Sequence, residues 1–280
     1  MEVTVYTPDS LAGSPARLLR EMVRDLRASR ELALRLAQRD IKAQYRQTLL
    51  GLLWAFILPL ANTVTWVFLS SSGIVSVGET GLPYAVFVFT GTMIWAIFME
   101  SLSAPLQQVQ AAKPMLAKLN FPREALILSG VYQTLFNASI KIALMFAVLW
   151  SMGFFSWSQF FLFPITVLAV MLAGTALGLL VTPLGVLYGD IGRGIPLLFQ
   201  FVMYLTPVVF PLAKGGLAAE LININPLTAL IVTAREWLTG SAASMPMAFA
   251  AVTLASLVLL VAGWALYRLA MPILIERMGG

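Results

Sequence analysis

The stretch RDIKAQYRQTLLGLLWAFILPL, from Arg39 to Leu60, decides the fold. Four of its first eight side chains are ionised: Arg39, Asp40, Lys42 and Arg46. Its last dozen residues carry no charge. A chain that passes so abruptly from charge to hydrocarbon is leaving water for a bilayer. The rest of the sequence agrees. Of 280 residues, 59% are hydrophobic and 11% charged, where a soluble domain carries roughly 25% charged residues. Mean hydropathy is +0.86.

A helix needs ~20 apolar residues to cross a bilayer core. Six runs approach or meet that length, at about 49–71, 83–104, 125–152, 160–187, 194–212 and 246–270. Period-2 alternation of the barrel kind is absent, so the spans are expected to be helices. The predicted class is an all-α integral membrane protein with six transmembrane helices per protomer. The expected organisation is a cytoplasmic N-terminal segment 1–48, a transmembrane domain 49–270 and a cytoplasmic tail 271–280. No cleaved leader is expected, because the first 48 residues hold nine Arg and Lys and no apolar core.

Basic residues set the orientation, since cytoplasmic segments keep the excess of Lys and Arg. With the N-terminus inside, six spans return the C-terminus inside. Fifteen of the 18 basic residues then lie on the inner side. Lys214 and Arg235 lie outside, and Lys141 lies within a span. The net charge of +5 therefore reads as topology and contact with anionic lipid, not as nucleic-acid binding.

The chain has no Cys and no His. Disulfides, thiolate nucleophiles, imidazole-ligated haem and the usual zinc sets are excluded. No Asp-x-Asp pair and no G-x-x-x-x-G-K-[ST] loop occurs, so ATP cannot bind here in the P-loop manner. The glycines of GDIGRG, 189–194, read as a loop between spans. No cofactor or metal is expected on this chain.

From Pro15 to Gln47 the pattern predicts a helix. Arg17, Arg20, Arg24 and Arg27 alternate with Leu18, Leu19, Met22, Val23 and Leu26, which suits the surface of the inner leaflet. At its end Arg39, Lys42 and Arg46 either fix topology alone or also meet an anionic substrate head group. In the third span Ser129, Gln133, Asn137 and Lys141 recur every four positions, along one helix face. They suit either interhelical hydrogen bonding or a hydrated cavity. Lys141 needs a partner, because a charge at mid-membrane costs ~2.5–3.5 kcal/mol on insertion scales. Glu100 is the candidate, although its expected depth argues against contact.

The opening stretch resembles the approach to the first span in type-2 ABC export permeases, above all those of the O-antigen, capsule and teichoic acid exporters. The similar residues are Arg39, Asp40, Ile41, Tyr45, Arg46, Leu50, Gly51, Trp54 and Pro59. AKLNFPREAL (117–126), YGDIGRGIP (188–196), YLTPVVFP (204–211) and NPLTALI (225–231) extend the resemblance over nearly the whole chain from about residue 30. It implies a homodimer joined by two copies of a separate P-loop ATPase, which would carry the ATP and Mg²⁺. It also implies a lipid-linked polysaccharide as cargo, borne on a polyprenyl pyrophosphate, in the bacterial inner membrane.

On that resemblance, loop 105–124, with Lys113, Lys118 and Arg123, couples to the ATPase. The segment 213–245, broken at Gly215-Gly216 and Pro226, becomes a pair of re-entrant gate helices at the outer side. The first and fifth spans line the channel through Asn62, Thr65, Trp66, Phe199, Gln200 and Tyr204. Such a lining lets sugar C–H faces slide on aromatic rings while hydroxyls bond the amides. A type-2 exporter of a small hydrophobic compound or lipid remains the alternative. A membrane-bound transferase is disfavoured by the missing acid–base motifs.

Overall fold

The computed structural model describes residues 15–46, 53–75, 77–116, 122–158, 161–212 and 215–279. In chain order they form α1 (Pro15–Ala28), α2 (Arg30–Arg46), α3 (Trp54–Ser71), α4 (Tyr84–Leu116), α5 (Glu124–Ser151), α6 (Phe163–Leu187), α7 (Gly189–Tyr204), α8 (Gly216–Ile224), α9 (Pro226–Leu238) and α10 (Pro246–Gly279). Four of them, α4, α5, α6 and α10, are long and apolar enough to cross a membrane. Helices α3 and α7 are shorter, at 18 and 16 residues.

Helices α4 and α6 form the buried centre, and α5 and α10 flank them with largely exposed apolar faces. Lipid tails are as apolar as leucine, so such helices hold together by close backbone approach at small residues. Helix α6 supplies that approach with Gly174, Gly178 and Gly185. A Cβ on Gly174 or Gly178 would overlap the Phe98 or Leu102 carbonyl of α4, and one on Gly185 would strike the Leu106 side chain. On the other flank, Gly263 of α10 lies against the Ala176 carbonyl and Leu179.

Two apolar clusters follow. One, around Val88, Met93, Phe98, Met145, Leu230 and Leu238, fills the end that carries α8 and α9. The other, around Leu36, Val109, Leu126, Leu179, Tyr267 and Met271, fills the end where α2 lies along α5. These are called below the hairpin end and the basic end.

Several boundaries differ from expectation. The N-terminal helix is two helices, divided at Ser29, whose hydroxyl donates to the Asp25 carbonyl at 2.6 Å; such back-bonding competes with the regular ladder. The expected loop 105–124 is helical as far as Leu116, because α4 continues through Pro105 and Pro114. Pro105 is buried, with its Cδ facing Gly178 of α6. GDIGRG is not a loop but the first turns of α7. Asp190 lies in its first turn, where the helix dipole favours a negative charge. The fifth run therefore begins before residue 194 and ends at Tyr204. The tail from 271 continues α10 through Gly279.

Candidate functional site

Two expected channel residues meet across the α3–α7 seam. The Trp66 ring lies 6.3 Å from that of Tyr204 and 5.5 Å from that of Phe210, edge-on in both cases. Tyr204 is 42% exposed, and Asn62, Thr65 and Gln200 are exposed. The Thr65 hydroxyl donates to the Ala61 carbonyl at 2.9 Å. No residue of α7 is buried within the protomer. Phe199 behaves differently. Its ring sits 5.5 Å from Phe98 and 6.5 Å from Trp95, so it faces α4 instead of the open side.

At the basic end, Arg39, Lys42 and Arg46 are exposed on α2, spaced by three and four residues and hence on one face. Arg39 pairs with Asp40 at 2.8 Å. Lys113 is half-buried in the last turn of α4, and Arg123 is the N-cap residue of α5. Lys118 lies outside the described residues.

The polar stripe of α5 is paired with α4. Gln133 accepts a hydrogen bond from Gln108 at 2.7 Å, and Lys141 donates to Glu100 at 2.6 Å. Depth does not separate Glu100 from Lys141, contrary to the sequence argument. The reason is register. Moving eight residues up α5, from Gln133 to Lys141, matches eight residues back along α4, from Gln108 to Glu100, as antiparallel helices require. Both pairs lie about 12 Å apart along the bundle at 1.5 Å per residue. Gln133 also donates to Gln44 of α2 at 3.4 Å. Asn137 is half-buried. Ser129 is fully buried, and its hydroxyl has no hydrogen-bond partner among the described residues.

Two arginines were missed as interaction centres. Arg268 of α10 is 8% exposed and bonds Glu124 of α5 and Asp25 of α1, each at 2.7 Å, with Glu21 at 3.9 Å. Next to it, the Tyr267 hydroxyl donates to the Arg123 carbonyl at 3.3 Å. Arg235 of α9, counted with the outer-side basic residues, is buried, with its guanidinium 3.7 Å above the Phe87 ring. The usable signal was charge embedded in otherwise apolar sequence, Arg268 in LYRLA and Arg235 beside Glu236 in TAREW.

Chemically, this is a bundle with an aromatic and amide seam on one open side and exposed cations at one end. Residues 31–238 match the ABC-2 type transporter family. The chain belongs to that family. It is the membrane subunit of a transporter, not an enzyme, and works with an ATPase subunit. It is similar to the O-antigen export system permease protein RfbA of Myxococcus xanthus, 27% identical over 216 residues, which cover 76% of this chain and 82% of the relative. The RfbA protein of Klebsiella pneumoniae is 24% identical, over 74% of this chain and 79% of its own length. The polysialic acid transport protein KpsM of Escherichia coli is 22% identical, over 82% and 90%.

Proposed function

We propose that this chain forms the channel of an ATP-driven exporter that moves a lipid-linked polysaccharide out across the bacterial inner membrane. The observation that carries this reading is the similarity, over most of the chain, to proteins named for O-antigen export and polysialic acid transport. The seam at Trp66 and Tyr204 supports it. Aromatic edges beside exposed Asn62, Thr65 and Gln200 suit hydroxylated rings that must slide without lodging.

In the working assembly two copies face each other through α3 and α7, and each engages one ATPase, where ATP and Mg²⁺ act. Six helices per copy cross the membrane, with both termini cytoplasmic. Helix α1 lies on the inner leaflet, and α8 and α9 form the re-entrant outer pair. Arg39, Lys42 and Arg46 meet the pyrophosphate of the polyprenyl carrier, because phosphate oxygens favour Arg and Lys donors. The segment linking α4 to α5 couples to the ATPase through Lys113, Lys118 and Arg123.

Deleting the chain in its own host tests this. Surface polymer should vanish while the lipid-linked polymer accumulates inside, and the intact chain with its ATPase should restore export. Normal surface polymer in the deletion strain overturns the reading.

A further inference from the structure

Helix α7 ends at Tyr204 without a glycine cap, and the chain then turns through Leu205–Val208. The carbonyls leaving a helix have no partner of their own. In apolar surroundings they must find one. The Phe201, Val202 and Met203 carbonyls of α7 accept from the Leu205 and Thr206 N–H groups, and the carbonyls of the turn that follows are met by two side chains of the hairpin. Asn225 Nδ2 donates to the Leu205 carbonyl at 3.0 Å and to Thr206 Oγ1 at 2.8 Å. Arg235 Nη2 donates to the Pro207 carbonyl at 2.8 Å and the Val208 carbonyl at 3.1 Å. Room for this contact is made by Gly91 of α4, where a Cβ would overlap both the Val208 carbonyl and the Arg235 guanidinium.

The helix that bears these two residues is fixed. Every residue of α9 from Leu227 to Arg235 is buried, packed on α4, α6 and α10. Helix α7 has no buried residue at all. Its other end follows an extended Tyr188; Cβ atoms on Gly189 and Gly194 would meet open space, and one on Gly192 would reach only the side-chain tips of Leu106 and Gln110 of α4, at 3.4 Å. We propose that Asn225 and Arg235 pin the hairpin end of α7 to the core, so that α7 pivots there and moves at its Gly189–Gly194 end. The two are positioning residues for Tyr204, which adjoins the pinned segment and faces Trp66. The proposal rests on the reading of α7 as a channel helix, because only then does the pivot govern transport.

The absence of Cys allows clean spin labelling of the complex with its ATPase in lipid nanodiscs. One label pair, at the exposed positions 201 and 247, reports the hairpin end. A second pair, at 193 and 269, reports the basic end. Between resting and vanadate-trapped states the first distance should stay fixed and the second should shift. Arg235→Leu should broaden the first distribution and lower export at least about tenfold, since it removes two hydrogen bonds from a charged group and each is worth about that factor or more.

Asn225→Asp guards against misfolding. It keeps the oxygen that accepts from the Leu227 N–H and caps α9, but loses the amide donor to Leu205. It too should broaden the first distribution. A hairpin-end distance that shifts in the unaltered protein, or stays narrow in Asn225→Asp, overturns the pivot. If the distances behave as expected but no polysaccharide is exported by the unaltered complex, the functional reading fails and the pivot stands.

Discussion

Glu100 and Lys141 lie 41 positions apart in the chain and 2.6 Å apart in the fold. The Lys141 side chain is 9% exposed and that of Glu100 37%. The pair joins α4 to α5, the two helices on either side of the segment for which ATPase coupling is proposed. Removing Lys141 strands Glu100, whose partial exposure keeps the cost below the about 3–5 kcal/mol of a fully buried pair. Replacing both with apolar side chains of similar size removes the penalty. Lys141→Met alone should therefore lower the thermal stability of the purified protein sharply, and Lys141→Met with Glu100→Leu should regain most of it. A double variant no better than the single one would show that the pair does not act as a unit.

The Arg268 node makes a separate prediction about α1. Arg268, Arg17 and Arg24 stand against Glu21, Asp25 and Glu124, so the charges balance. Arg268 is the member that reaches α1, α5 and α10 at once. Arg268→Leu leaves Asp25 and Glu124 facing each other without their shared cation. Limited proteolysis should then cut α1 in Arg268→Leu under conditions in which the unaltered protein stays intact there. The cost belongs to the range of about 3–5 kcal/mol expected for breaking a buried ion pair. Equal protection of α1 in both proteins would argue that other contacts hold it.

Glycines on two neighbouring helices should answer alanine with opposite signs. Gly178 of α6 sits against the Leu102 carbonyl and Pro105, so Gly178→Ala forces α4 and α6 apart. Overpacking of this kind costs typically about 1–3 kcal/mol. Gly194 of α7 faces open space in the protomer, and alanine in an open helix position gains up to about 1 kcal/mol. Melting temperature in detergent should fall for Gly178→Ala and hold or rise for Gly194→Ala.

How much of this could be read from the sequence depends on range. Composition and apolar run length are local properties, and they placed α5 and α6 within a few residues of Glu124–Ser151 and Phe163–Leu187. The amphipathic pattern from Arg17 to Leu26 found α1. The apolar run misled at residue 104, because α4 continues past it to Leu116, with Pro105 buried against Gly178, 73 positions away. GDIGRG misled as well: its glycines suggest a turn, while Asp190 and the following apolar residues favour a helix start. Lys141 called for a partner, but the partner followed from the antiparallel register of α4 and α5. Arg268 and Arg235 were counted as topology signals, since nothing local to LYRLA or TAREW names Glu124 or Val208.

The seam between α3 and α7 separates the three expected channel aromatics into two kinds. Trp66 and Tyr204 touch each other at the open side, whereas Phe199 packs on Trp95 and Phe98. Phe199→Ala should therefore act on folding, with a loss below the about 3–5 kcal/mol of a fully buried Phe, and its export defect should follow protein yield. Trp66→Ala and Tyr204→Ala should lower export at unchanged yield. An edge-on aromatic pair contributes about 0.5–1.5 kcal/mol beyond its buried area, so once either ring is gone the second change should cost less by that amount. Single cysteines in this Cys-free chain provide the direct check. Thiol reagents added from outside to the assembled exporter should reach positions 62, 200 and 204 when the path is open and should spare 199. Labelling at 199 equal to that at 200 would mean that α7 turns in the assembly, and Phe199 would then return to the channel wall.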